Sequence, residues 1–131
     1  MKPIASKLLL VATAATAAAF ASIAHAQVIE LEWDAQQQFI RSLDVAPGKF
    51  VEVCGKLTPP AKVEWQFEAG TPLNFNVHYH EGKEVRFSAN KDAQVKLEGE
   101  LQVKTEQDYC WMWSNKSPAA SPLTLRLRRV S

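Results

Sequence analysis

This sequence is poor in the residues that usually give a short chain an easily read chemistry. It has two cysteines, five glycines, two methionines and three histidines in 131 residues, and no Cys-x-x-Cys pair. One of those histidines, His25, lies in the N-terminal leader, so the body of the chain holds only His78 and His80. No nucleophile elbow or oxyanion motif surrounds Ser88, Ser114, Ser117 or Ser121. Neighbouring carboxylates such as Glu98 and Glu100 fall on one exposed strand face, where they are solvated. The reading is therefore not an enzyme. Strong charge of either sign is also missing, at 15 Lys and Arg against 14 Asp and Glu, which leaves no electrostatic footprint for nucleic acid. The local run Arg126, Arg128 and Arg129 reads as a solvated strand face.

The N-terminus is where apolar residues concentrate. Lys2 and Lys7 precede the run from Leu8 to Phe20, and Ala24-His25-Ala26 supplies small residues where a signal peptidase cuts. Residues 1–26 read as a cleavable export signal. The run is too short and alanine-rich for a membrane helix and has no cationic stop-transfer segment after it, so no transmembrane segment is expected after cleavage. The remaining 105 residues suit one domain. Without Lys2 and Lys7 they carry 13 cationic residues against 14 acidic ones. The expected location is secreted, with periplasmic preferred.

In an oxidising compartment Cys54 and Cys110 pair, because they are the only two cysteines. Closing so long a loop stabilises by about 4 kcal/mol in the chain-entropy model.

From Phe39 onward apolar residues recur at every second position, with turn residues about every ten. Val51, Val53 and Leu57 share one face, as do Val63, Trp65 and Phe67, then Leu73, Phe75, Val77 and Tyr79. Val95, Leu97, Leu101 and Val103 follow around a break at Gly99, then Tyr109, Trp111 and Trp113, and finally Leu123, Leu125 and Leu127. Ala46-Pro47-Gly48, Thr58-Pro59-Pro60, Ala69-Gly70-Thr71-Pro72 and Glu81-Gly82-Lys83 are read as the turns that end successive strands. The fold class is all-β: an antiparallel β-sandwich of about eight short strands, two sheets face to face, in one domain over 38–131. The tryptophans on these strands read as core. Residues 27–37 are expected to form an irregular arm. Asp34 and the spacing of Ala35, Phe39 and Leu43 would also fit a helix, but a strand at 38–45 is favoured.

Alternation turns Cys54 and Cys110 outward, since Val51, Val53, Tyr109 and Trp111 point inward. Two outward cysteines bridge only across neighbouring strands, so the second strand and the penultimate strand should pair.

The string Tyr109-Cys110-Trp111-Met112-Trp113-Ser114-Asn115 resembles the penultimate strand of the GOLD (Golgi dynamics) domain. Val63-Glu64-Trp65-Gln66-Phe67 with Leu73-Asn74-Phe75-Asn76-Val77 is similar to two further strands of that family. The resemblance implies a jelly-roll-like β-sandwich that binds a protein or lipid partner and has no catalytic residues. The register departs from the family at its second cysteine, which corresponds to Met112 here.

One set of residues keeps a second function open. His78 and His80 stand two apart on a strand and so share a face, a competent two-point chelate for Cu²⁺ or Zn²⁺. Glu81 and Glu84 are the nearest additional ligands, and Asp92 a distant one. The functional expectation is a small non-catalytic binding or accessory module without a cofactor. Its alternative is a periplasmic Cu or Zn protein using His78, His80, Glu81 and Glu84.

Overall fold

The structure is a computed structural model that describes Pro3, residues 11–17 and residues 26–130. Most of the export signal read over 1–26 lies outside the described residues. Among the described residues no helix is long and apolar enough to cross a membrane.

Among the described residues seven strands run β1 (Gln27–Glu30), β2 (Gln38–Val45), β3 (Phe50–Leu57), β4 (Lys62–Glu81), β5 (Glu84–Gln102), β6 (Gln107–Ser114) and β7 (Ser121–Arg129). They form one hydrogen-bonded sheet in the order β1-β3-β6-β4-β7-β2, with β5 paired to β4 alone. The sheet is folded into two layers, and the fold line crosses the long β4–β5 hairpin. The first half of β4 pairs with β7, from Val63 opposite Arg129 to Ala69 opposite Leu123. Its second half pairs with β6, from Asn74 opposite Ser114 to His78 opposite Cys110. The sandwich is thus made by a strand that changes layers rather than by two separate sheets.

This accounts for seven strands where about eight short ones were expected. Ala69-Gly70-Thr71-Pro72 does not end a strand; it is the corner at which β4 changes partners. A Cβ on Gly70 would lie 2.8 Å from Cδ of Pro122, so only glycine lets the two backbones pass so closely. The Thr71 amide donates to Oγ of Ser121 at 3.1 Å, replacing a ladder bond. β5 turns the same corner with Ala93 at a φ of 54°, its amide caught by Oδ1 of Asn74 at 3.0 Å. Gly99 does not break β5 either. It lies opposite Trp65 in register, and a Cβ there would meet the indole at 2.3 Å, so the missing side chain makes room for the ring.

The arm contains more order than expected. β1 pairs with β3 in parallel, Gln27 opposite Val51 to Glu30 opposite Cys54. Asp34 caps a turn instead of a helix, its Oδ1 accepting from the amides of Gln36 and Gln38 at 2.8 and 2.9 Å while Gln37 takes a φ of 59°. The favoured strand at 38–45 is present as β2.

The inward faces meet as the alternation requires except at Val95 of β5, which is 49% exposed beside the corner at Ala93. Phe67 of one layer packs edge-on against Trp113 of the other at 5.7 Å between centroids, and Phe75 lies 4.7 Å from Trp65. Trp65, Trp111 and Trp113 are all buried. Beyond β6, Asn115 is buried and ties the loop before β7 together. Its Nδ2 donates to the carbonyls of Val45 and Ala119 at 3.0 and 2.8 Å, and its Oδ1 accepts from N and Oγ of Ser117 at 2.9 and 2.8 Å.

Candidate functional site

Two outward faces remain once the core is closed. On the layer of β2, β7 and the first half of β4, the outward residues form a polar ladder. Glu64 accepts a hydrogen bond from Arg128 at 2.8 Å, and Lys96–Glu68 and Lys62–Glu100 pair at 3.1 and 3.4 Å. Such exposed pairs contribute roughly 0–1 kcal/mol each. An open groove of about 620 Å³ crosses this ladder, with Gln66, Glu98 and Arg126 along it. The basic run is thus split between Arg128, paired to Glu64, and Arg126 beside the groove.

The other layer presents a different chemistry. Cys54, Cys110, His78 and Phe87 form one row across β3, β6, β4 and β5, because each is the register partner of the next. Glu52, Met112, Asn76 and Asn90 form the adjacent row. β3 and β6 are neighbours, as the two outward cysteines required, and Cys54 and Cys110 face each other directly in a disulfide. Alternation places the cysteines on the outer side, yet Cys110 is buried because neighbouring side chains cover it.

His78 is one of those neighbours. It is only 5% exposed although it lies on an outward face. Its ring stands 5.2 Å from that of His80 and 6.2 Å from that of Phe87, both edge-on. Nδ1 lies 2.7 Å from Oδ1 of Asn76, an acceptor, so Nδ1 carries the proton. That leaves the lone pair of neutral His78 on Nε2, which faces Oε2 of Glu52 at 3.9 Å, beyond hydrogen-bond reach. Burial pushes the imidazole below its ordinary pKa; the Glu52 carboxylate opposes this and His80 adds to it.

The four residues considered for metal binding are distributed differently from a chelate. His80 is exposed, and Glu81 and Glu84 both pair with Arg86 across the hairpin end. Among the described residues, the group whose ligand atoms come within 4.8 Å of one another is Glu52, His78 and Cys110. Glu52 could not be found by reading along the chain, because it reaches His78 only through the β3–β6–β4 pairing. In the oxidised protein Cys110 is engaged with Cys54 and offers no thiolate.

β5 borders this face. Among the described residues its backbone ladder pairs only with β4, so its other side is a free edge along both layers. Val85 and Phe87 project from it, 41% and 54% exposed.

No family model matches the chain, so the GOLD resemblance rests on the aromatic strands alone. No curated protein matches it. Solved structures do. PliG from Aeromonas hydrophila, a periplasmic lysozyme inhibitor of g-type lysozyme, is similar with a TM-score of 0.64 at 9% identity, over 82% of this chain and 100% of that one. PliG from Salmonella Typhimurium is similar at 0.56 and 10% identity, over 79% and 98%. The pre-peptidase C-terminal domain of a Bacillus anthracis collagenase is similar at 0.59 and 8% identity, over 79% and 96%. At such identities the likeness is one of fold.

Proposed function

We propose that this protein is an extracytoplasmic, non-catalytic module that binds a protein partner along the free edge of β5. The observation that carries the reading is that edge: the outer side of a 19-residue strand whose other side pairs with β4, on which Val85 and Phe87 stand exposed side by side on one face. Folded proteins normally blunt such edges, and an extended partner segment can add to one through main-chain hydrogen bonds while pockets take its side chains. Three further features support it: the export signal, the single disulfide, and the likeness of fold to periplasmic proteins that inhibit a lysozyme. The GOLD resemblance implies the same class of activity, interaction rather than catalysis. The surface chemistry favours protein over lipid, because Glu84, Arg86, Lys91 and Asp92 interrupt the apolar residues of the edge with both signs of charge.

The first probe is a g-type lysozyme titrated with residues 27–131, which contain all seven strands, following heat of binding and muramidase activity together. A Val85→Asp/Phe87→Asp variant keeps the fold, since both side chains are exposed, and should weaken binding at least tenfold. No binding by the wild type refutes lysozyme as the partner. Binding that the double variant leaves unchanged refutes β5 as the surface.

A further inference from the structure

The row containing the disulfide has a feature that packing does not require. A buried neutral imidazole beside a disulfide is ordinary, but this one is oriented: Asn76 holds the Nδ1 proton at 2.7 Å and so aims the Nε2 lone pair toward Glu52. That is the arrangement metal-binding histidines adopt, the far N–H fixed by a carbonyl so that the near nitrogen can donate. One nitrogen of His78, one carboxylate oxygen of Glu52 and Sγ of Cys110 lie within 4.8 Å of one another. Sγ of Cys54 is bonded to that same sulfur.

We propose that reduction of Cys54–Cys110 converts this row into a site for one thiophilic d¹⁰ cation, Zn²⁺ or Cu⁺, held by Cys54, Cys110, His78 and Glu52. A dithiol reductant supplies two electrons and two protons, breaking the S–S bond and forming two thiols while the reductant closes its own disulfide. Each thiol then loses its proton as it coordinates the cation. Two thiolates, an imidazole and a carboxylate satisfy a closed tetrahedral zinc site. Bonds of about 2.0–2.3 Å hold such donors roughly 3.3–3.8 Å apart, so the Glu52, His78 and Cys110 donors must close by up to about 1 Å while the two sulfurs part from bonding distance once reduced. β3, β6 and β4 supply these ligands from adjacent, mutually hydrogen-bonded strands. Met112, between Glu52 and Asn76 in register, adds a soft thioether that would favour Cu⁺. The site adjoins the partner-binding edge through Phe87, whose ring lies edge-on to His78, but it takes no ligand from β5 and uses neither His80, Glu81 nor Glu84.

The test uses residues 27–131, reduced with dithiothreitol and desalted without oxygen, then titrated with Co²⁺ as a spectroscopic stand-in for Zn²⁺. One equivalent should bind with thiolate-to-cobalt charge-transfer absorption, while the oxidised protein shows none. Asn76→Ala should weaken binding by about 10–100-fold through loss of imidazole orientation, and His78→Ala and Glu52→Gln by at least tenfold. Competition between Cu⁺ and Zn²⁺ assigns the cation: copper if Cu⁺ prevails and Met112→Leu weakens it, zinc otherwise. The inference is overturned if the reduced protein gives no charge-transfer band, or if its affinity survives His78→Ala. It is overturned equally if reduction abolishes the β signature in far-UV circular dichroism and the metal does not restore it.

Discussion

Replacing Asn115 by alanine removes a side chain that no solvent molecule can stand in for cheaply, because the residue is only 1% exposed. Four hydrogen bonds go at once: two from Nδ2 to the carbonyls of Val45 and Ala119, and two onto Oδ1 from N and Oγ of Ser117. At about 1 kcal/mol net for each, with a further penalty for the carbonyl of Val45 left dry, the cost is roughly 4–5 kcal/mol. That is a large part of a typical 5–15 kcal/mol stability. Equilibrium urea unfolding followed by tryptophan fluorescence reads it directly. With a slope of about 2 kcal/mol per molar, the midpoint should fall by roughly 2 M at an unchanged slope. Asn115→Asp is the sharper variant. It keeps the acceptor for Ser117 but turns an oxygen toward two carbonyls, so it should be no more stable than Asn115→Ala at neutral pH and should recover as the carboxyl protonates. If Asn115→Ala costs less than about 1 kcal/mol, or if Asn115→Asp folds as stably as wild type at neutral pH, the loop is held by something other than this amide.

Three further outcomes follow from the same geometry. Gly99→Ala places a methyl group where the indole of Trp65 lies 2.3 Å away, so it should destabilise by about 1–3 kcal/mol as the ring is displaced, with a shift in tryptophan emission as the second readout. Removing the disulfide as Cys54→Ala/Cys110→Ala, which opens a loop of sequence separation 56, should cost about 4 kcal/mol in thermal or urea unfolding; an unchanged midpoint would mean the crosslink constrains nothing the sheet does not already hold. In the oxidised protein His78 titrates below its unfolded value of 6.5. The unfolded chain therefore binds the extra proton first, and stability should be full above about pH 6.5 and decline as pH falls through that value toward the folded pKa. His78→Asn should flatten that part of the pH–stability curve, and an equally steep variant curve would assign the slope to other groups.

What could be read from the residues was whatever period two governs. The inward series Val51 and Val53, Trp65 and Phe67, Trp111 and Trp113, and Leu123 to Leu127 needed only alternation, and from their phase followed the outward cysteines and the β3–β6 pairing. Gly70-Thr71-Pro72 defeated the same reading because glycine and proline serve a turn and a layer-crossing corner equally well; only the proximity of Pro122 decides. β1 was hidden because a four-residue parallel pairing is made by backbone and leaves little trace in side chains. His78 and His80 were correctly placed on one face, but alternation carries no information about cover. Phe87 and the disulfide bury the first, and the second remains exposed. Glu52 lies 26 positions from His78 and becomes its neighbour only through two strand pairings.

The position of the last strand governs when this molecule can become itself. Among the described strands β2 pairs with β7 alone, Phe39 opposite Leu127, so it has no ladder partner until a segment 88 residues further along the chain has arrived. A chain delivered from its N-terminus can assemble the local β4–β5 hairpin before β7 emerges, but the layer that holds β2 waits for β7. During that interval β2 and the first half of β4 are both incomplete edges, available to each other's copies in neighbouring chains. Swapping of β7 between molecules, rather than general unfolding, is the failure this topology invites, and crowding of nascent chains would be what provokes it.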